Sequence, residues 1–293
     1  MPTTGPDTAV PDTAVPGATA EDADVWMRAH RPRPSLRGQI RRVVGFAEHA
    51  GGAVHRRELP FGGVPIILSF GDQVRISSAT GSGTYTSFVA GMHEIPVDTT
   101  HDGTLRCIQV DLDPLGAYRL LGGPMSELHD AVVPVDGLFG PAWRDLGERL
   151  AELPSWPERF ELLERVLGQC VQDGPRADPE VSWAWRRLAG SHGAVPIGEL
   201  AAEVGWSRRH FVARFRGQVG IAPKPAAQVL RFARAHQLLT APGARSISDV
   251  AAAAGYADHS HLIREFRRLA GATPSQLIAA VAPPPVAGAG QLS

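Results

Sequence analysis

Basic side chains recur at matching positions of a repeated segment in the last hundred residues. Residues 197–206 and 247–256 share Ile, two Ala, Gly and an aromatic residue at an offset of 50. Beyond the Gly the offset becomes 51, and both copies continue with Arg, His and Ser side chains. An Arg guanidinium holds its N–H donors in a fixed fork, so it can bind phosphate or the O6 and N7 atoms of guanine. The repeat therefore indicates a surface that could bind nucleic acid.

Each copy of the repeat has the features of two helices joined by a tight turn. Gly205 and Gly255 can adopt the left-handed conformation that ends a helix. Ser207 and Asp258 follow as N-caps of a second helix. On that second helix an apolar pair at i, i+4 is expected to point inward: Phe211 and Phe215, then Leu262 and Phe266. The opposite face, which carries the Arg, His and Ser residues, is the one that can enter a major groove.

The second copy carries a longer motif, a Gly-aromatic pair, Ser-His, Arg-x-Phe and Gly-x-Thr-Pro, within residues 255–277. This motif resembles the second-unit signature of the AraC/XylS family of transcription regulators. The resemblance covers residues 181–280 and implies an all-helical, double-stranded-DNA-binding domain of two helix-turn-helix units. A long helix joins the units in such domains, and residues 226–239 are the candidate. Both recognition helices then face one side of the DNA, in major-groove segments about 34 Å apart.

The resemblance also implies a role for each exposed residue of the two recognition helices. The base-reading positions fall on Arg209, Val212 and Ala213 in the first helix, and on His259, Ser260, Ile263 and Arg264 in the second. We expect Arg209 and Arg264 to be the principal readers. Val212 and Ala213 offer only apolar contacts, such as to a thymine methyl. Phosphate contacts, which position the protein without reading sequence, are expected from Arg208, Arg214, Arg216, Arg267 and Arg268.

Several histidines could suggest a metal, but their spacing does not. His210 and His261 recur with the repeat, and we expect them to pack between helices with their rings hydrogen-bonded to the neighbouring turn. His93, Glu94 and His101 lack the His-x-His spacing of a cupin-type metal site, so we expect them to be satisfied surface groups. No metal and no cofactor is predicted.

Charge and apolar patterning divide the chain. Residues 183–280 carry a net charge of +8 and the remainder −9, against −1 overall. A basic module beside an acidic one is typical of a phosphate-binding domain joined to a domain with another task. Between residues 54 and 112, short apolar runs broken by Gly and Pro predict a small antiparallel barrel or sandwich, cupin-like in layout.

Helical periodicity begins after residue 113. Two apolar stripes follow the predicted barrel, Trp143, Leu146 and Leu150 on one helix and Phe160, Leu163, Leu167 and Cys170 on the next. These stripes could pack on the barrel or pair with a second subunit.

The predicted fold class is α+β, with a small β-barrel or sandwich and trailing helices followed by an all-α domain of two helix-turn-helix units. The predicted boundaries are a disordered segment at 1–35, a sensor or dimerisation domain at 36–172, a linker at 173–180, the DNA-binding domain at 181–280 and a disordered tail at 281–293.

Cysteine content and hydropathy bear on the compartment. Cys107 and Cys170 are too few for a disulfide framework and lack C-x-x-C spacing, which fits a reducing cytosol. Residues 1–24 lack the pattern of a secretion signal, and no stretch approaches the roughly 18 apolar residues of a membrane span. The expectation is a cytoplasmic protein without membrane contact.

Cys107 leaves two chemical alternatives open. It is expected to be a buried thiol, with a redox sensor or the methyl acceptor of an alkylation-repair regulator as the other interpretations. The sequence contains no motif of the common enzyme classes, so we expect no catalysis. Besides double-stranded DNA, the expected partner is a second copy of the chain, with RNA polymerase and a small-molecule effector as further candidates. A choice between activator and repressor stays open.

Overall fold

The computed structural model describes residues 24–241, 243 and 246–281. Within them an N-terminal β-rich domain precedes a helical domain. The strands are β1 Asp24–His30, β2 Ile40–His49, β3 Val54–Glu58, β4 Val64–Ser69, β5 Val74–Ser78, β6 Gly81–Tyr85, β7 Phe88–Ala90, β8 Val97–His101, β9 Thr104–Leu112 and β10 Val132–Pro134. The helices of the first domain are α1 Pro114–Leu121, α2 Val135–Phe139, α3 Pro141–Glu152 and α4 Trp156–Asp173, with a 3-10 helix at Met125–Leu128.

The helical domain contains the repeat. Its helices are α5 Pro179–Gly190, α6 Ile197–Glu203, α7 Arg208–Val219, α8 Pro223–Thr240, α9 Ile247–Ala253, α10 His259–Ala270 and α11 Pro274–Val281. Helix α8 contains the predicted long helix at 226–239 and extends it at both ends. The predicted tail lies outside the described residues from 282 onward.

The strands form two antiparallel sheets. One has six strands in the order β1-β2-β9-β4-β7-β10, and the other has four in the order β3-β8-β5-β6. Side chains from both sheets, such as Ile76 and Cys107, form an apolar cluster between them. Alternation along each strand produces this arrangement, because successive side chains point to opposite faces. The predicted α+β class, a sandwich followed by a helical domain, is confirmed.

Strand β1 corrects the predicted disorder of residues 1–35. Residues 24–30 pair along their whole length with β2, and residues 34–36 form a short 3-10 helix. The composition gave no sign of this order because the stabilising partners are distant in sequence. The ring of Trp26 contacts that of Trp156 with centroids 4.8 Å apart and planes tilted by 32°, and His30 stacks on Phe160 at 4.4 Å. The prediction was wrong for residues 24–35, and residues 1–23 lie outside the described part of the chain.

The apolar stripes of α3 and α4 are covered by the first domain itself. Leu146 and Leu150 on α3, and Leu163 on α4, are at most 1% exposed within the single chain. Trp156, at the start of α4, lies directly against Gly45 of β2, where a larger residue would have no room. Of the two arrangements left open by the sequence, the structure has the helices packed on the sheet.

The two domains share one continuous apolar core. Helix α7 lies against the 3-10 helix Met125–Leu128 and against α1. The indole Nε1–H of Trp185 donates to Asp113 Oδ2 over 2.9 Å, which joins α5 to the first domain. Residues 174–178, within the predicted linker at 173–180, have no regular secondary structure.

Three charged or polar side chains lie buried between the sheets, and one of them is a histidine that was expected at the surface. His101 Nε2 is 2.9 Å from Glu48 Oε2, and Arg56 donates to both oxygens of the same carboxylate at 2.5 and 2.6 Å. All three residues are buried. The expectation was wrong for His101 because strand alternation turns its ring inward. Burial lowers the pKa of His101, so its neutral form is favoured.

Candidate nucleic-acid interface

Both copies of the repeat fold as a helix, a tight turn and a second helix: α6 and α7 in the first unit, α9 and α10 in the second. The turns have the same geometry. Gly205 has φ 69° and Gly255 has φ 75°, a left-handed conformation that glycine adopts at little cost. The following aromatic residue then donates its backbone N–H to the last turn of the first helix, from Trp206 to Ala201 and from Tyr256 to Ala251.

The second helix of each unit begins at a side-chain cap. The hydroxyl of Ser207 accepts from the backbone N–H of His210 at 3.3 Å, and the carboxylate of Asp258 accepts from that of His261 at 2.7 Å. These are the predicted N-caps, which satisfy donors that the first helical turn leaves free.

The inner faces of α7 and α10 are apolar, as predicted. Phe211, Phe215, Leu262 and Phe266 are all 0% exposed. The ring of Phe266 meets that of Phe232 on α8 at 4.8 Å in an edge-on arrangement. Helix α8 thus anchors the second unit, and the i, i+4 pairs fix which face of each recognition helix looks outward.

The outward face of the first recognition helix is basic and exposed. Arg208, Arg209, Ala213, Arg214 and Arg216 are exposed, and Val212 is half-buried. The guanidinium of Arg209 forms no hydrogen bond or ion pair with any other described residue, whereas Arg214 is occupied. The Nε and Nη2 atoms of Arg214 donate to the two oxygens of Asp178 at 2.7 and 2.8 Å. A predicted phosphate contact is therefore paired with a residue of the interdomain segment.

The outward face of the second recognition helix repeats this pattern. His259, Ser260, Arg264, Arg267 and Arg268 are exposed, and Ile263 is half-buried. Arg264 and Arg267 make no hydrogen bond or ion pair within the described ranges. Arg268 lies between two carboxylates, 3.8 Å from Glu265 Oε1 on its own helix and 3.7 Å from Glu94 Oε2 in the β-rich domain.

Glu265 is a buried acidic residue of α10 that the sequence did not single out. It is 4% exposed, and its carboxylate lies 3.7 to 3.9 Å from Arg231, His261 and Arg268. An ionised carboxylate is buried at tolerable cost only when cations surround it. The one signal in the sequence is that Glu265 is the only acid within a strongly basic helix.

The repeated histidines contact aromatic rings. His210 meets Trp206 edge-on at 4.7 Å, and His261 meets Tyr256 at 5.3 Å. Among the described residues, neither histidine ring makes the predicted hydrogen bond to the turn. Each ring instead contacts the aromatic residue of the turn.

Burial raises the pKa of the Tyr256 hydroxyl, and Arg231 lies over its ring at 5.5 Å.

Cys107 lies in the apolar cluster between the sheets, where burial raises its pKa to about 12. Its neighbour Arg106 points to the opposite face and bonds Asp72. A thiol in this environment is predominantly protonated at neutral pH, which disfavours both the redox-sensor and the methyl-acceptor interpretations.

None of the helices in the described ranges is long and apolar enough to cross a membrane.

Two family models match the chain. Residues 200–280 match a family described as a helix-turn-helix domain, and residues 28–134 match a domain of unknown function. Among curated proteins, none matches.

Solved structures resemble either the helical domain or most of the chain. The DNA-binding domain of AdpA, a global transcriptional factor solved with a target DNA, is 34% identical over 34% of this chain and 87% of that one, with a TM-score of 0.30. An AraC-type transcriptional regulator from Chromobacterium violaceum is 27% identical over 36% of this chain and 96% of that one, at 0.33. ToxT from Vibrio cholerae is 10% identical over 89% of this chain and 100% of that one, at 0.48.

Proposed function

We propose that this chain, whose residues 200–280 match a helix-turn-helix family, is an AraC-type regulator of transcription that reads a specific DNA sequence with α7 and α10. The observation that carries the proposal is the repetition of one arrangement. In both units a buried apolar pair orients a capped helix so that Arg, His or Ser side chains face solvent. Two such faces match the requirement for reading two successive major-groove segments.

Base reading is assigned first to Arg209 and Arg264. Both are exposed. Neither forms a hydrogen bond or an ion pair with another described residue that DNA would have to break. Each can donate two hydrogen bonds to guanine, which contributes about 1–3 kcal/mol of discrimination. The half-buried Val212 and Ile263 can contact thymine methyl groups from the same faces.

Phosphate binding is assigned to the arginines that flank these readers. Arg208, Arg216 and Arg267 are free to bind within the described structure, whereas Arg214 and Arg268 must first leave Asp178 and Glu94. This difference supports a second element of the proposal. The β-rich domain and the interdomain segment control DNA binding because they hold two of the arginines that would bind phosphate.

The proposal extends to partners and compartment. We propose a non-enzymatic cytoplasmic regulator that acts as a homodimer and meets RNA polymerase at promoters. In one arrangement Asp178 and Glu94 hold Arg214 and Arg268, and in the other these arginines bind DNA. A small-molecule effector that binds the two arrangements with different affinity shifts the equilibrium between them.

Genome-wide footprinting of bound sites, followed by binding assays on the purified chain, tests this function. We expect recurrent sites with two half-sites about one helical turn apart, and an affinity that falls steeply with salt because several phosphates are neutralised. Binding to no site at low ionic strength, or equal affinity for every sequence, would contradict the proposal.

A further inference from the structure

Within the described part of the chain, strand β1 has an open edge. It lies at the end of the six-stranded sheet, and β2 is the only strand with which it pairs among the described residues. Five of its seven residues are exposed and the other two are half-buried. Natural proteins commonly protect such an edge with a proline, a bulge or a very short strand. β1 contains no proline, and its register with β2 runs without a break from Asp24 to His30.

The two faces of β1 differ in chemistry. Trp26 and His30 turn towards α4, where they contact the rings of Trp156 and Phe160. Alternation places Arg28 on the same face and Val25, Met27 and Ala29 on the other. Val25, at 48%, and Ala29 are exposed, so the second face presents an apolar strip.

We propose that β1 is the contact strand of a homodimer, in which two copies pair antiparallel about Met27. Met27 then lies opposite the partner's Met27, and Val25 lies opposite the partner's Ala29. On the face towards α4, Asp24 lies opposite the partner's His30. These cross-strand contacts are apolar on one face and polar or charged on the other. Matched pairs of this kind stabilise neighbouring strands.

Charge favours the antiparallel direction. Trp26 lies opposite the partner's Arg28, whose guanidinium can bind the face of the indole ring. An in-register parallel pair would instead place Arg28 beside the partner's Arg28 and Asp24 beside the partner's Asp24, and like charges directly opposite one another are destabilising. The sequence of β1 is thus complementary to itself under a two-fold axis, which is the symmetry of most homodimers.

The resulting dimer joins two six-stranded sheets into one. A strand pair of seven residues buries less surface than the roughly 1,600 Å² of a standard stable interface. We therefore expect a dimer that dissociates on dilution. The inference does not depend on DNA binding, because β1 belongs to the other domain and its association is measured on the protein alone.

Cysteine cross-linking tests the register in the full chain, with Cys170 replaced by Ser. Met27→Cys places two thiols on the two-fold axis, where the Cα atoms of opposite residues are about 4.5–5.5 Å apart and a disulfide can form. Val25→Cys is the matched control. The two copies of residue 25 are offset by four positions, about 13 Å along the strands, so no disulfide should link them. Equal cross-linking of both variants, or none for Met27→Cys, would overturn the proposal.

A charge exchange tests the same contact without cysteines. Val25→Arg with Ala29→Arg puts like charges opposite one another across the dimer, and we expect dissociation at least about tenfold easier than in the wild type. Val25→Arg with Ala29→Glu places opposite charges across the dimer, whereas residues 25 and 29 of one strand are about 13 Å apart and do not pair with each other. It should restore dimerisation to within about threefold of the wild type.

Sedimentation velocity gives the readout, as a shift between 31.2 kDa and twice that mass. Far-ultraviolet circular dichroism confirms that each variant is folded. A wild type that stays at 31.2 kDa up to about 100 μM, or two charge variants with equal association, would contradict the β1 dimer.

Discussion

Arg268 of the second recognition helix lies 3.7 Å from Glu94 of the β-rich domain, measured from Nη1 to Oε2. The two side chains are 41% and 22% exposed, so the contact is an ion pair at the rim of the domain interface. DNA phosphate would compete with Glu94 for the same guanidinium. The pair therefore connects the arrangement of the domains to the strength of DNA binding.

Replacing Glu94 by Gln should strengthen DNA binding. The variant removes one of the two carboxylates beside Arg268 and leaves Glu265. A partly exposed ion pair contributes about 0.2–1 kcal/mol, so affinity should rise by about 1.5- to 5-fold. The gain should be equal on specific and random DNA because a phosphate contact carries no sequence information. Glu152→Gln, at an exposed position on α3, removes the same charge away from Arg268 and serves as the control in electrophoretic or fluorescence titrations. An equal gain in both variants would show a net-charge effect instead.

Arg264 and Arg267 should lose different kinds of binding when replaced by Ala. Arg264→Ala should weaken binding to the specific site by about 1–3 kcal/mol and leave random DNA nearly unchanged. Arg267→Ala should weaken both alike and reduce the slope of log K against log salt by about 1. Titrations at several salt concentrations separate the two. The reader role of Arg264 would be refuted by equal losses on both DNAs.

Phe266 should be required for the stability of the second unit. It is 0% exposed and packs on Phe232, so Phe266→Ala should cost about 3–5 kcal/mol of unfolding free energy. Phe266→Leu keeps most of the apolar volume and should cost less. Urea unfolding measures both, and a loss below about 1 kcal/mol for the Ala variant would indicate that the site is less tightly packed than described.

Stability should fall as the pH is lowered through about 6.5. Burial lowers the pKa of His93, His101 and His236 below the ordinary histidine value of 6.5. The unfolded chain therefore binds more protons in this range, and stability present above pH 6.5 is lost as the pH falls towards the folded-state pKa values. Each histidine can contribute at most about 1.4 kcal/mol per pH unit. Urea unfolding between pH 7.5 and 5 tests this.

His236→Gln provides the control for that pH dependence. It removes one buried titrating group, and its stability should depend less steeply on pH than that of the wild type. Identical slopes for the two proteins would exclude His236 as a contributor.

Cys107 should not react with thiol reagents in the native protein. With its pKa at about 12, only about one thiol in 10⁴ is ionised at pH 8, and the side chain is buried. In a Cys170→Ser background, Ellman's reagent should titrate no thiol in the native state and one in denaturant. Rapid native reaction would favour the redox-sensor or methyl-acceptor interpretation over a structural thiol.

The sequence alone determined the two helix-turn-helix units. Their signals are local: Gly205 and Gly255 end one helix, Ser207 and Asp258 cap the next, and apolar residues four positions apart select the buried face. Such interactions join residues within a few positions of one another, so they can be read from spacing. The exposed positions of Arg209 and Arg264 followed from them.

Tertiary structure alone decided which arginines of the recognition helices are paired with acids and how residues 24–30 form a strand. Arg214 meets Asp178 across 36 positions and Arg268 meets Glu94 across more than 170. Trp26 and Trp156, which fix β1 against α4, are 130 positions apart. No local pattern encodes contacts of this kind, because they form only when separate elements pack together and bring distant charges and rings within a few ångströms.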